Sequence, residues 1–150
     1  QGAHERALTA LDLARGDSEA ARDLRLTGEI AIDRARALVA LKREAEAAAA
    51  LVDARTSSAD NPLAWLLSAT LSRRQGKLGA AQAQIATAAD LNPRDPEIGL
   101  EAGVIAMLAG NEAAARRSWQ SAIDTAPASE AATAARSYLA QLGAPPQSKP

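Results

Sequence analysis

A regular spacing of 34 residues runs through the sequence and constrains its fold more than any other feature. Four residues whose side-chain oxygens suit the start of a helix recur at this interval: Thr27, Asn61, Asp95 and Ser129. Such a side chain accepts a hydrogen bond from a backbone N–H that has no partner within the helix. Pro62 and Pro96 follow two of these residues, and proline is favoured at the first helical position. The sequence therefore predicts helix starts at regular intervals.

Small and large side chains keep one register within each unit, counted from positions 28, 62 and 96. The eighth, twentieth and twenty-seventh places hold only alanine or glycine: Ala35, Ala69, Gly103, Ala47, Ala81, Ala115, Ala54, Ala88 and Ala122. The twenty-fourth place holds a large apolar residue: Leu51, Ile85 and Trp119. Small residues let two helices cross closely, and a hairpin that cannot bury its apolar face alone must stack on its neighbours. The pattern predicts three stacked helical hairpins.

The composition favours helices and excludes several classes of protein. The chain of 150 residues suits one domain, and it has no Phe, one Tyr and two Trp, so its apolar content is largely the strong helix former alanine. The formal net charge is −1 without a basic cluster, which argues against nucleic-acid binding. There is no cysteine for disulfides or thiol chemistry. No apolar run approaches the roughly 20 residues that span a bilayer.

At these places the sequence resembles the tetratricopeptide-repeat (TPR) family, and we expect a bacterial member. That family has a 34-residue helix–turn–helix with small residues at the places given above. The segment from Asn61 to Trp65 resembles the opening of a family repeat, whereas Ala31 and Gly99 stand where the family usually has Trp. Lys42 stands where Gly76 and Gly110 mark the turn of the later units. The resemblance implies an all-α fold, a right-handed α-solenoid of helix–turn–helix hairpins with a C-terminal closing helix.

The expected organisation is a single TPR-like domain over residues 1–143, followed by a disordered tail over 144–150. Residues 3–27 are expected to form an irregular leading helical pair that turns at Gly16-Asp17. Repeats follow at 28–61, 62–95 and 96–129, and the closing helix at 130–142. The predicted helices are 3–15, 18–26, 28–41, 44–56, 62–75, 78–91, 96–109, 112–125 and 130–142.

No catalytic, cofactor-binding or metal-binding pattern is found. His4 is the single histidine, and no second ligand lies at a spacing typical of a metal site. A nucleophile elbow and a phosphate-binding glycine loop are missing from the sequence. We therefore expect a protein that is not an enzyme and that carries no cofactor.

The family resemblance implies a concave groove lined by the second, fifth, ninth and twelfth residues of each first helix. The predicted peptide-binding residues are Ile32, Arg36, Leu66, Thr70, Arg73, Leu100, Val104 and Met107, with Tyr138 of the closing helix extending the groove. Glu29, Val39, Leu63 and Glu97 occupy the same kinds of place. The groove is mostly aliphatic with Arg36 and Arg73 as its cations, which favours a peptide with apolar anchors and an acidic group.

The sequence thus predicts a non-catalytic module that binds another protein or a peptide, without nucleic acid and without inserting this segment into a membrane. One alternative is an envelope-anchored assembly factor, because the context of Trp119 and the segment Tyr138–Leu142 is similar to the TPR region of cytochrome-c maturation proteins. Another alternative is an oligomerisation domain that forms a homodimer. The compartment is left open between cytoplasm and periplasm, and so is the question of an anchor or signal removed upstream.

Overall fold

A computed structural model describes residues 2–20 and 23–143, and within these ranges every regular element is an α-helix. The eight helices of the described part are α1 Gly2–Ala20, α2 Leu24–Ala40, α3 Glu44–Ser57, α4 Pro62–Arg74, α5 Leu78–Leu91, α6 Pro96–Leu108, α7 Glu112–Thr125 and α8 Glu130–Leu142. The predicted all-α class is confirmed. The tail expected over 144–150 lies outside the described residues.

Consecutive helices pair and then stack, as the spacing predicts. The hairpins are α2 with α3, α4 with α5, and α6 with α7. Each hairpin meets the next through α3 against α4 and through α5 against α6, and α4 also contacts α6. At the two ends, α1 packs on α2, while α8 packs on both α7 and α6. The first helices α4 and α6 of the second and third hairpins therefore lie side by side.

Three of the four predicted helix caps are confirmed. The side chains of Asn61, Asp95 and Ser129 accept hydrogen bonds from backbone N–H groups in the first turns of α4, α6 and α8, at 3.0, 2.9 and 3.0 Å. Each bond satisfies a donor that the helix itself leaves unpaired. At these three positions the polar residue thus sets where the next helix begins.

The fourth predicted cap, Thr27, is wrong. Helix α2 begins earlier, where Asp23 accepts a hydrogen bond of 2.9 Å from the backbone N–H of Leu26. Thr27 lies inside the helix and is buried, and its hydroxyl lies 2.9 Å from the hydroxyl of Ser18 on α1. The packing of α1 adds a turn to the start of α2, because it buries Thr27 and supplies a polar partner.

The turn expected at Gly16-Asp17 is also wrong, since α1 runs through both residues to Ala20. A glycine inside a helix costs roughly 1 kcal/mol relative to alanine, which docking against α2 offsets. Leu8 is buried in the same core cluster as Leu38, and Asp12 accepts a hydrogen bond of 2.6 Å from Arg34. The helix expected over 18–26 includes residues 21 and 22, which lie outside the described part of the chain.

The evenly spaced small residues occupy the helix crossings. All nine alanines and glycines at the eighth, twentieth and twenty-seventh places are buried, and so are the large residues at the twenty-fourth place. The closest approach is at Gly103, where an added Cβ would overlap with the indole ring of Trp119. The indole N–H of Trp119 donates a hydrogen bond of 3.2 Å to the carbonyl of Leu100. Small residues therefore set the distance between the two helices of each hairpin.

The turn within each hairpin has a residue in the left-handed region of backbone space. Gly76 has φ +72° and Gly110 has φ +77°, whereas the first hairpin places Lys42 there with φ +60°. In all three turns the next residue donates to a carbonyl five residues back, at 2.9 Å. Lys42 thus adopts the backbone conformation of the glycines it replaces, at a cost that glycine does not have.

We expect Gly103→Ala to lower the free energy of unfolding by about 1–3 kcal/mol, because the new methyl group pushes the indole ring and its helix apart. Gly79→Ala on α5 is the matched control, since an added Cβ there meets no atom within 4 Å. Urea denaturation of both variants measures the difference. An equal effect of the two substitutions would contradict the crossing assigned to Gly103.

Lys42→Gly is expected to stabilise the protein. Relief of the left-handed strain at a non-glycine residue should raise the free energy of unfolding by about 1–2 kcal/mol. The greater freedom of glycine in the unfolded chain should lower it by about 0.4–1 kcal/mol. The reverse change, Gly76→Lys, should destabilise the second hairpin by a comparable amount. Thermal unfolding followed by circular dichroism compares the two variants, and shifts of the same sign would refute the assigned strain at Lys42.

Candidate binding groove

The residues predicted to line the groove have different surroundings in the fold. Ile32 is only 3% exposed, and it packs in a core cluster with Ala31, Ala54 and Ala64. Its assignment to the groove is therefore wrong. The physical reason is that α4 lies close to α2 at this end, so Leu63 covers the position.

Arg36 and Thr70 are brought together across the junction of the first two hairpins. Both line a cavity of about 170 Å³ between α2 and α4, which we call the groove pocket. Its walls are Ala35, Arg36 and Val39 of α2 and Leu67, Thr70 and Arg74 of α4, with Leu51 and Leu71 buried beneath. The pocket is apolar inside and has an arginine on each wall.

Arg73, the second predicted cation of the groove, forms an ion pair with a residue of α6. Its guanidinium donates two hydrogen bonds to the carboxylate of Glu101, at 2.6 and 3.3 Å. The two side chains are 25% and 13% exposed, so this ion pair is largely shielded from water. Paired bonds between arginine and a carboxylate fix both side chains. Arg73 therefore links α4 to α6.

The remaining predicted residues lie further along the same face. Leu66 is half-buried against the core of the second hairpin, while Leu100 and Val104 pack around Trp119. Tyr138 stacks on the same indole ring, with the ring centroids 5.1 Å apart. Of the predicted residues in this part of the groove, Met107 near the end of α6 and Tyr138 are the exposed ones. Most apolar side chains at this end of the groove pack against the core, so less apolar surface is left to contact a ligand.

Comparisons with solved structures reveal the fold to which this geometry belongs. The TPR domain of OM64 from Arabidopsis has a TM-score of 0.69 and 15% identity, over 77% of this chain and 95% of that one. YrrB, described as a TPR protein with an unusual peptide-binding site, has a TM-score of 0.67 and 19% identity, over 87% and 74%. The Sgt2 TPR domain from Aspergillus fumigatus has a TM-score of 0.67 and 16% identity, over 82% and 87%.

The chain has the TPR fold. Neither models of known protein families nor curated proteins match its sequence. The similarity is therefore one of fold. Because the sequence identities are below 20%, it says nothing about which side chains line the groove.

Within the TPR fold, Trp65 connects the first repeat to the second. Its indole N–H donates a hydrogen bond of 2.8 Å to the carbonyl of Ala59, and the guanidinium of Arg55 lies 5.2 Å from the ring centroid. Burial lowers the pKa of Arg55 from its usual value. The aromatic face stabilises the shielded cation, since its quadrupole attracts positive charge.

The family places miss several residues that line the groove pocket. Leu67 and Arg74 lie at the sixth and thirteenth places of their repeat, outside the four places expected to face a ligand. Leu67, Thr70 and Arg74 are three or four residues apart and so share one side of α4. This helical spacing is the sequence signal that identifies them once Thr70 is placed in the groove.

Among residues 2–20 and 23–143, no group of three or more histidine, aspartate or glutamate side chains converges as metal ligands would. In the same ranges, none of the helices combines the length and the apolar character needed to cross a bilayer.

A double-mutant cycle on Arg73→Leu and Glu101→Leu tests the link between α4 and α6. Each single variant should lose about 1–3 kcal/mol of unfolding free energy, because a shielded charge is left without its partner. The double variant should lose less than the sum, with a coupling of about 1–2 kcal/mol. The exposed pair Arg25 and Glu29 serves as the control and should show no measurable coupling. Additive losses at Arg73 and Glu101 would disprove the link.

Proposed function

We propose that this chain is a non-catalytic protein–protein interaction module that binds a peptide or helix in its concave groove. The observation that carries the proposal is the groove pocket, an apolar cavity between the first helices of two successive repeats. Stacked repeats leave such surfaces open along one side of a solenoid, and extended concave surfaces of this kind suit peptide chains.

The size of the groove pocket supports a side chain as its occupant. Its volume of about 170 Å³ is several times the roughly 30 Å³ that one water molecule occupies. It is smaller than the cavities of about 300–1,000 Å³ that hold whole small-molecule ligands. An aliphatic side chain on a longer peptide fits both limits, with the peptide backbone lying outside the pocket.

The chemistry of the lining residues supports binding over catalysis. Apart from Thr70, the polar side chains that line the groove pocket are Arg36 and Arg74. The hydroxyl of Thr70 donates a hydrogen bond of 3.1 Å to the carbonyl of Leu66 on its own helix. A nucleophile needs an adjacent base, and neither arginine can accept a proton at neutral pH. The pocket is thus equipped to hold a group rather than to transform it.

A precedent for peptide binding exists on this fold, since the similar structure of YrrB is described as having a peptide-binding site. We apply this to the present chain as an analogy, because folds host many functions and the side chains decide which one. The absence of a nucleic-acid partner, the assembly-factor role and the homodimer stay predictions from the sequence. Light scattering over a concentration series tests the homodimer.

The proposal is tested by phage display. A random peptide library is selected against the immobilised protein. Clones that bind the wild type should lose at least about tenfold in affinity against Thr70→Phe, because the aromatic ring fills the groove pocket. Thr87→Phe is the matched control: Thr87 lies on α5, is also half-buried and makes the same type of bond, 3.2 Å to the carbonyl of Ala83. Failure to enrich any clone, or equal binding to both variants, would refute the groove as the binding site.

A further inference from the structure

Arg36 lines two depressions on the surface of the protein. On one side lies the groove pocket. On the other side lies a wider and more open depression between α1 and α2, which we call the α1 depression. It is lined by His4, Ala7 and Leu11 of α1 and by Asp33, Arg36 and Ala37 of α2, with a volume of about 470 Å³. Arg36 lines both, so a chain crossing from one to the other would pass its side chain.

The α1 depression exists because α1 is one continuous helix docked on α2. Ala7 and Leu11 lie four residues apart on one side of α1, next to the side that carries Leu8 into the core. Their side chains, with Ala37 across from them, make most of the exposed surface of the depression apolar. A second apolar anchor of a ligand therefore has a place to bind, separated from the groove pocket by the side chain of Arg36.

Arg36 is the least engaged of the three arginines on this part of the groove. Arg73 makes two bonds to the shielded carboxylate of Glu101, and Arg74 donates one bond of 2.8 Å to Glu44 on α3. Arg36 donates one bond of 3.1 Å to Asp33, one turn earlier on its own helix. The side chains of Arg36 and Asp33 are 53% and 59% exposed, and ion pairs in such settings contribute little.

We propose that the groove selects a peptide with an acidic residue between two apolar residues, one on each side. The carboxylate of the acidic residue pairs with Arg36. This inference rests on the proposed function and specifies its ligand. The apolar side chains fill the groove pocket and the α1 depression. The guanidinium has five N–H donors, so a ligand carboxylate has donors besides the one shared with Asp33.

The charge around the groove pocket favours an acidic over a basic ligand. Its two ionised lining side chains, Arg36 and Arg74, are both positive, while Asp33 lines only the α1 depression. A bound peptide also covers Arg36 and excludes water from it, which strengthens an ion pair formed there. A ligand cation would meet two arginines in the pocket, whereas a ligand carboxylate meets complementary charge.

The probes are fluorescein-labelled, alanine-based peptides in which two leucines flank a central aspartate at graded spacings, each paired with an otherwise identical asparagine peptide. Fluorescence anisotropy with the wild-type protein should show that the aspartate peptide of the best spacing binds about fivefold tighter than its asparagine partner. Arg36→Gln should abolish this preference, so that the aspartate and asparagine peptides bind equally. Asp33→Asn should increase the preference, because it removes the competing carboxylate.

Arg94→Gln is the matched control, since it removes the same charge from the exposed turn between α5 and α6 and should preserve the preference. Circular dichroism confirms that the variants keep their helices. Equal binding of aspartate and asparagine peptides by the wild type, a preference that survives Arg36→Gln, or no binding at all would each overturn the inference. The phage selection with Thr70→Phe judges the proposed function separately, because it assumes nothing about the charge of the ligand.

Discussion

The contact between a small residue on the first helix of each hairpin and a large residue on the second determines the rest of the structure. The sizes of the two partners change together along the chain. Ala35 shares a core cluster with Leu51, and Ala69 shares one with Ile85. In the third hairpin the larger Trp119 lies against Gly103, where no side chain interferes. Because interiors are close-packed, the hairpins keep a similar separation only if one partner shrinks as the other grows.

The two ends of the solenoid are closed by different physical means. At the C-terminal end, α8 brings Tyr138 onto the ring of Trp119, so that an aromatic stack and apolar packing hold the closing helix. At the N-terminal end, α1 buries Leu8 and adds ion pairs such as the 3.3 Å pair from Arg15 to Asp53. This ion pair is partly exposed and contributes little, so the two end helices should differ in how firmly they dock.

The two arginines predicted for the groove have different surroundings. Arg73 is committed to the structure, because its bonds to Glu101 join the first helices of two neighbouring repeats. Arg36 pairs only loosely along its own helix, and it lines the two depressions that an apolar peptide would fill. Two arginines at groove places of successive repeats thus have different partners. The difference arises from what the facing helix presents, a carboxylate opposite Arg73 and apolar side chains around Arg36.

The sequence by itself determined the repeat, its helices and its core, because the 34-residue spacing reflects a local rule: small residues must recur wherever helices cross. A second rule located the caps at Asn61, Asp95 and Ser129, since the side chain of a cap bonds to the backbone of its own helix. Only the tertiary structure decided the start of the chain and the character of the groove. Thr27 became an interior residue and Ile32 a core residue because α1 and α4 cover them. Arg73 pairs with Glu101, which is distant in sequence, whereas Arg36 pairs with Asp33 on its own helix, and a distant contact leaves no local pattern to find.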